Sequence, residues 1–376
     1  YIKIYNMRIL FTGGGTGGHI YPIIAIKRAL EKICKPGVKF LYVGPDSFAA
    51  DVLKKEKIKY KFILAGKLRR YFSPLNFIDF LKGPIGLVQS LWCLFWFMPD
   101  VVFSKGGYGS VPVVLASWLY RIPIIIHESD SIPGLANRLL AGVAKKIIIS
   151  FEEAKTYFPP SKTIILGNPV REELIQGDRN DGKVLFNLIS GKPVILIIGG
   201  SQGAEKINDI TLNTLPRLLE SCEIIHLCGE KNFKQVEENS RKILEKFDSG
   251  QAGLYHLYPF LEEERLKHAY ATSDLIISRA GAGGIFEIAA FGKPSILIPL
   301  ISAASNHQVK NAQALSKIGA AVILEENNLT INMFTDAVFE LLNNPAKLQE
   351  MGEKAKSFYK AEINQKIAEE ILNLCQ

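Results

Sequence analysis

Metal-binding signatures are missing from this 376-residue chain: it has no Asp-x-Asp, no Cys-x-x-Cys and no His-x-x-x-His. Five cysteines (Cys34, Cys93, Cys222, Cys228, Cys375) are odd in number and scattered, which argues against a disulfide framework or a zinc site and fits a reducing compartment. The six histidines are equally dispersed. Neither a Cys/His finger, an RNP-like aromatic strand nor a long Lys/Arg run is present, so nucleic acid is not an expected partner. The excess of 45 basic over 37 acidic residues instead suits an anionic substrate or an acidic membrane surface. No apolar run reaches the ~20 residues of a spanning helix. The residues before Met7 are too few for a signal peptide; Met7 is read as the start and the chain as cytoplasmic. A composition 48% hydrophobic and 22% charged is that of a globular protein, and the length favours two or three domains.

Short apolar runs, each followed by a glycine turn and an amphipathic stretch, recur along the chain. The first set is 7–11, 39–44, 100–104, 123–128 and 145–150; the second is 193–200, 224–229, 275–278, 294–300 and 320–324. Strands without polar alternation, separated by helices, indicate parallel sheets covered on both faces. The expected fold is therefore α/β, with two doubly wound, Rossmann-like domains facing a cleft. The Gly-, Asn- and Asp-rich stretch GNPVREELIQGDRNDGK (167–183) reads as the linker. A closing helix is expected over about 346–375, and its last part could pack on either domain.

Four glycine loops stand at strand-to-helix junctions: FTGGGTGGH (11–19), SKGGYGS (104–110), GGSQGA (199–204) and SRAGAGGIFE (278–287). Gly13, Gly15 and Gly18 satisfy G-x-G-x-x-G, but Asp46 comes too late to serve as the ribose-binding acid of a dinucleotide fold. Four such loops are better explained by a large ligand approached by backbone from both halves. Without Asp-x-Asp to hold a divalent cation, backbone amides and helix N-termini would have to stabilise a departing nucleotide diphosphate. His19 stands at the mouth of the first loop, His127 and Glu128 end the 123–128 run, and Glu287 lies in the first turns of the helix after the fourth loop.

TGGGTGGHIYP, SKGGYGSVP, HESDSIPGLAN, GNPVR, GGSQGA, RAGAGGIFE and NHQVKNA occur in an order and spacing that resemble the MurG family of peptidoglycan glycosyltransferases, over nearly the whole chain. The resemblance implies a GT-B fold and an inverting transfer of N-acetylglucosamine from UDP-N-acetylglucosamine to lipid I, giving lipid II. It implies an N-terminal acceptor domain at 1–168, a donor domain at 169–357, and a last helix (358–376) packed back on the first domain. In the donor half it assigns Glu287 to the ribose and Leu261 to the uracil edge. Ser201, Ala282, Gly283 and Gly284, with the neighbouring Ile285 and Phe286, fall to the diphosphate, and Gln308 with His307 to the sugar. Asn208 joins that constellation, and Arg171, in the linker motif, approaches the phosphates or the interdomain cleft. Thr16, Gly17, Gly18 and Gly106 to Tyr108 would serve the acceptor side, and Asp130 is a further substrate-binding position, counted with the donor contacts. The general base is His19 first, then Glu128 and His127. No cofactor and no metal site are implied. Departures from the family pattern are Asp130 in place of the frequent Asn, Gly284 in place of a hydroxyl residue, and Phe286 in place of the frequent Ser. Readings that share parts of this pattern are a diacylglycerol glycosyltransferase, a UDP-sugar epimerase, an NAD(P)-dependent oxidoreductase and a non-catalytic scaffold.

Lipid I is a membrane substrate, which draws attention to GPIGLVQSLWCLFWFMPD (83–100). Leu87, Leu91, Leu94, Phe95 and Met98 fall at helical spacing, Trp92 and Trp96 widen the apolar face, and Lys67, Arg69, Arg70 and Lys82 precede it. One face of this helix would enter the core and another would meet anionic headgroups, with Trp118 and Lys145–Lys146 extending the patch. The expected placement is peripheral, on the cytoplasmic face of the bacterial plasma membrane, with other cell-wall synthesis proteins as further partners.

Overall fold

The computed structural model describes residues 7–34, 37–45, 48–66, 75–200, 203–301 and 306–375, with the side chains of 48–49 and 75–81 left aside. Ser201, Asp46, Lys67, Arg69 and Arg70 therefore lie outside the described residues or side chains. The chain forms two compact units, 1–171 with 361–376, and 172–360.

The first unit contains seven strands: β1 (Arg8–Thr12), β2 (Lys39–Gly44), β3 (Lys59–Phe62), β4 (Val101–Ser104), β5 (Ile124–Glu128), β6 (Lys146–Ile149) and β7 (Thr163–Ile165). They pair in the order β3-β2-β1-β4-β5-β6-β7, every pair parallel. Ile9, Leu10, Phe11, Val102, Phe103, Ile125 and Ile126 are all buried, as continuous apolar runs in a sheet covered on both sides must be. The second unit contains β8 (Val194–Ile198), β9 (Glu223–Leu227), β10 (Tyr255–Tyr258), β11 (Leu275–Ser278), β12 (Ser295–Leu297) and β13 (Ala321–Ile323). Their order, β10-β9-β8-β11-β12-β13, again parallel, repeats the first six positions of the first sheet.

In both sheets the strand order reverses beside the first strand. A crevice opens at such a point beyond the strands' carboxyl ends, where ligands of doubly wound sheets bind. All four glycine loops leave from the two strands at the reversal: β1 and β4 in the first unit, β8 and β11 in the second.

Two segments differ from the sequence expectation. From Glu172 onward the stretch 167–183 is helical rather than an open linker, with helices Glu172–Ile175 and Arg179–Leu185. Asp178 caps the second by accepting from the amides of Asn180 and Asp181, 2.7 and 2.9 Å away. Gly177 and Gly182 let this segment press on helix Glu263–Thr272, for a Cβ at Gly177 would lie 2.0 Å from the Lys267 carbonyl oxygen. The closing helix is broken in two, Pro345–Phe358 and Ile363–Asn373. The second piece lies against helix Gly17–Ile33 of the first unit, and Asn364 Nδ2 donates to the Val170 carbonyl at 2.7 Å. Lys146 pairs with Glu370 on the same piece.

Candidate active site

In the first unit the loop after β1 is shaped around His19. Thr16 is the N-cap of helix Gly17–Ile33, but its hydroxyl is turned to His19 Nδ1, 2.9 Å away, rather than to a helix amide. A Cβ on Gly14 would lie 3.0–3.3 Å from three atoms of the imidazole. A Cβ on Gly107, in the loop after β4, would lie 3.2 Å from His19 Nε2 and 3.1 Å from the Gly14 backbone. The two glycine loops are thus closed on each other, with the imidazole between them. Tyr42 seals the base of this arrangement, its hydroxyl donating to the Gly13 carbonyl at 3.2 Å.

Burial first, and the Lys105 charge second, hold the His19 imidazole down to about 4. The residue is only half-buried, which limits the burial effect. In either case the ring is neutral near pH 7 and can accept a proton. Acceptance at Nε2 requires the tautomer in which Nδ1–H donates to Thr16 Oγ1. Thr16 and Gly18 are exposed at the loop mouth while Gly17 is buried, and Tyr108 stands exposed beside them.

The other two base candidates are enclosed. His127 is fully buried; its Nε2 donates to the Gly167 carbonyl at 3.0 Å, which leaves Nδ1 as the acceptor for Lys105 Nζ at 2.7 Å. Both ring nitrogens are therefore occupied. Burial and the Lys105 charge keep this imidazole well below its ordinary range. Glu128 uses both oxygens to close its own loop: Oε1 accepts from Asp130 N at 3.0 Å, Oε2 from Gly134 N at 3.1 Å and Asn137 Nδ2 at 2.9 Å. Burial, followed by the Asp130 charge, pushes its carboxyl up to about 7 against the pull of those hydrogen bonds. Both side chains are thus engaged by protein partners. Arg171 is buried, with its guanidinium 4.1 Å from the centre of the Tyr21 ring, on the helix that carries His19.

In the second unit, helix Ala282–Phe291 begins at Gly281, which offers no side-chain cap, so the first-turn amides of Ala282, Gly283 and Gly284 head the helix uncapped. A Cβ on Gly283 would meet nothing within 4 Å, and one on Gly284 only Ser278 Oγ at 3.8 Å and the Arg279 carbonyl at 4.0 Å. The space above this helix start is open, which suits an anion on backbone N–H groups. Two turns in, Glu287 is half-buried and its Oε2 accepts from the Tyr270 hydroxyl at 2.9 Å. Tyr270 is itself fixed by stacking on Phe291, centroids 4.9 Å apart. Gln308, near the start of helix His307–Lys317, accepts from Leu300 N at 3.0 Å and anchors the chain beyond β12; His307 beside it is half-buried.

Four of the residues expected on the donor side have buried side chains. Ile285 and Phe286 point into the core, Phe286 against Phe358 with centroids 5.2 Å apart. The Leu261 side chain is buried too, leaving its backbone for recognition. Asn208 is buried, its Nδ2 donating to the Cys228 carbonyl and its Oδ1 accepting from His226 Nε2, both at 3.0 Å. It supports the loop after β8 from beneath, where a Cβ on Gly203 would lie 2.4 Å from that same Cys228 carbonyl. Sequence reasoning passed over Lys105, His226 and Tyr270; the sole hint was a lysine inside the glycine loop SKGGYGS. Among the described residues no group of three or more His, Cys, Asp or Glu side chains is gathered for a metal ion.

Helix Leu75–Phe97 carries the apolar stretch, and its expected stripe divides. Leu94 is buried, and Leu87, Leu91 and Phe97 pack on the core. Ile85, Val88, Trp92 (65% exposed), Phe95, Trp96 (68%) and Met98 face outward. The Tyr120 hydroxyl donates to the Leu91 carbonyl at 3.4 Å, which sets exposed Trp118, Leu119 and Tyr120 beside that face. Among the described residues no helix is long and apolar enough to cross a membrane.

Two parallel sheets of matching order, each with glycine loops on the strands flanking its reversal, are the architecture of a GT-B glycosyltransferase. Residues 9–149 match the glycosyltransferase family 28 N-terminal domain and 194–370 the family 28 C-terminal domain. The chain belongs to this family and, within it, to the MurG glycosyltransferases. It is 37% identical over 342 residues to the UDP-N-acetylglucosamine–N-acetylmuramyl-(pentapeptide) pyrophosphoryl-undecaprenol N-acetylglucosamine transferase of Clostridium tetani, covering 90% of this chain and 91% of that one. The crystal structure of MurG from Acinetobacter baumannii superposes with a TM-score of 0.74 at 26% identity, covering 98% of this chain and 99% of that one. A UDP-GlcNAc 2-epimerase from Neisseria meningitidis bound to UDP-GlcNAc reaches 0.69 at 16% identity over 98% of this chain and all of that one, a likeness of fold alone.

Proposed function

We propose that this enzyme transfers N-acetylglucosamine from UDP-N-acetylglucosamine to the muramyl 4-hydroxyl of lipid I, with inversion, to give lipid II. The observation that carries the mechanism is the neutral, half-buried His19 imidazole, seated between two glycine loops. His19 Nε2 takes the proton of the attacking hydroxyl while UDP departs from the opposite face of the sugar. A base so placed contributes ~10²–10⁴-fold. The second unit holds the donor. The uncapped amides of Ala282, Gly283 and Gly284 receive the diphosphate, Glu287, oriented by Tyr270, takes the ribose diol, and Gln308 reads the sugar. Ser201 shares the diphosphate, Arg171 and Asp130 are further substrate-binding positions, and Thr16, Gly17, Gly18 and Tyr108 frame the acceptor side.

The outward face of helix Leu75–Phe97 is an aromatic patch on a basic protein, which supports peripheral attachment to an anionic membrane, on the leaflet where UDP-sugars are available. Supplying lipid II ties the enzyme to cell-wall growth, and through it to cell shape and division, alongside other cell-wall proteins. The test is transfer of radiolabelled N-acetylglucosamine to a lipid I analogue, with and without EDTA, by the native chain and by His19→Ala. Transfer by the native chain with a fall of at least a hundredfold in kcat for the variant is expected. Near-normal turnover of His19→Ala at saturating substrates would move the base elsewhere.

A further inference from the structure

Lys105 is a cation that the mechanism above does not use. It is 2% exposed, at the carboxyl end of β4 inside the second glycine loop. Its Nζ meets three acceptors: His127 Nδ1 at 2.7 Å, Asn168 Oδ1 at 2.9 Å, and Ser129 Oγ. The identity of the first is fixed, because His127 Nε2 is committed as donor to the Gly167 carbonyl. Three acceptors match the three hydrogens of an ammonium, whereas a neutral amine offers two. Glu128 and Asp130 supply the opposing charge, and Glu128 in turn accepts three N–H bonds as a carboxylate should. Burial pulls the ammonium down to about 7 while these carboxylates pull it up; the complete donor count favours the charged form. Gly13 lies between this side chain and the base: a Cβ there would sit 3.3 Å from Lys105 Cβ and 3.4 Å from His19 Cβ.

We propose that Lys105 is a positioning residue for the transfer reaction. Its ammonium ties the ends of β4 and β5 to the Asn168 segment, and stands as a fixed cation across Gly13 from the His19 side chain. The proposal rests on the reading of His19 as the base. Lys105 is the charge acting on His19, and Glu128 and Asp130 are the charges acting on Lys105. On the other side the ring faces the Thr16 hydroxyl and the backbone of Gly14 and Gly107.

Removing the cation must raise the proton affinity of His19. The experiment uses Lys105→Met, with the milder Lys105→Gln if the first does not accumulate folded. Two quantities are read on the full chain: the His19 titration by NMR, assigned with His19→Gln, and the acid limb of kcat/KM for the lipid I analogue. In the native enzyme both fall low, and the variant moves both upward by roughly half a pH unit or more. An unmoved His19 titration overturns the proposal whatever the activity does. A His19 titration that moves while the acid limb stays overturns it by a different route, since His19 is then not the base. A uniform loss of kcat/KM at every pH, with neither quantity shifted, overturns it in the same way and leaves Lys105 a scaffold.

Discussion

Gly107→Ala tests whether the two glycine loops exist to seat His19. Gly107 has φ 83° and ψ 164°, a region open in practice to glycine alone. Holding alanine there costs about 1–3 kcal/mol. The new methyl would sit 3.1 Å from the Gly14 backbone and 3.2 Å from His19 Nε2, and crowding of that kind costs about 1–3 kcal/mol more. The two contributions sum to about 2–6 kcal/mol, enough to lower Tm by roughly 5–15 °C in a domain of this size. Relief comes by displacing the imidazole, and a misplacement of about 1 Å costs on the order of a hundredfold in rate. Differential scanning calorimetry gives the first quantity, and kcat at saturating substrates, well below the variant's Tm, gives the second. UDP affinity by calorimetry should not change, because Gly107 belongs to the other unit from Glu287. Gly283→Ala is the control for stability alone: its Cβ enters open space on a helix, so the ligand-free enzyme should gain about 0.5–1 kcal/mol, while the methyl intrudes on the space assigned to the diphosphate. A Gly107→Ala enzyme with native Tm and native kcat would refute the seating argument.

Three further outcomes are expected. His226 is fully buried and held down to about 3 by burial, far below its unfolded value of 6.5. The unfolded chain therefore binds a proton that the native state refuses, so this stability is complete above pH 6.5 and lost as pH falls toward 3, at about 1.4 kcal/mol per pH unit. Urea midpoints between pH 7 and 5 should fall more steeply for the native chain than for His226→Gln, and equal slopes would contradict the assignment. Tyr270→Phe removes the hydroxyl that orients Glu287 and should weaken UDP binding by roughly three- to tenfold, with the acceptor KM unchanged; an unchanged UDP Kd would show that Glu287 needs no such partner. Trp92→Gln with Trp96→Gln should strongly reduce pelleting with anionic vesicles while altering stability by less than about 0.5 kcal/mol, both side chains being exposed. Undiminished pelleting would place the membrane contact on another surface.

The strands that the sequence reveals and those it conceals differ by position in the sheet. Ten of the thirteen coincide with apolar runs; the other three, β3, β7 and β10, are all edge strands. An edge strand is only partly covered, so Lys59–Phe62 reads KYKF and Tyr255–Tyr258 reads YHLY, without the continuous apolar stretch that marks a strand buried on both faces. The outward face of helix Leu75–Phe97 was legible for the opposite reason: an apolar helix with two faces has more hydrophobic surface than one core contact can absorb.

Motif spacing locates a site but does not say which member of the motif touches ligand. His19, His127, Glu128, Asn208 and Glu287 look alike in sequence, each a polar residue beside a strand end or a glycine turn. Hydrogen-bond inventory separates them. His127, Glu128 and Asn208 have their donors and acceptors filled by protein, whereas the His19 ring has one nitrogen on Thr16 and is only half-buried. The glycines divide in the same way. Gly14, Gly107 and Gly203 are required by atoms already present, a ring or a carbonyl where a Cβ would stand, while Gly281 and Gly283 border empty space. The first kind fixes the shape of the loops themselves, and the second borders open space. Only the first should be intolerant of alanine in the absence of any substrate, and thermal denaturation of the ligand-free variants at Gly14 and Gly283 would separate the two kinds directly.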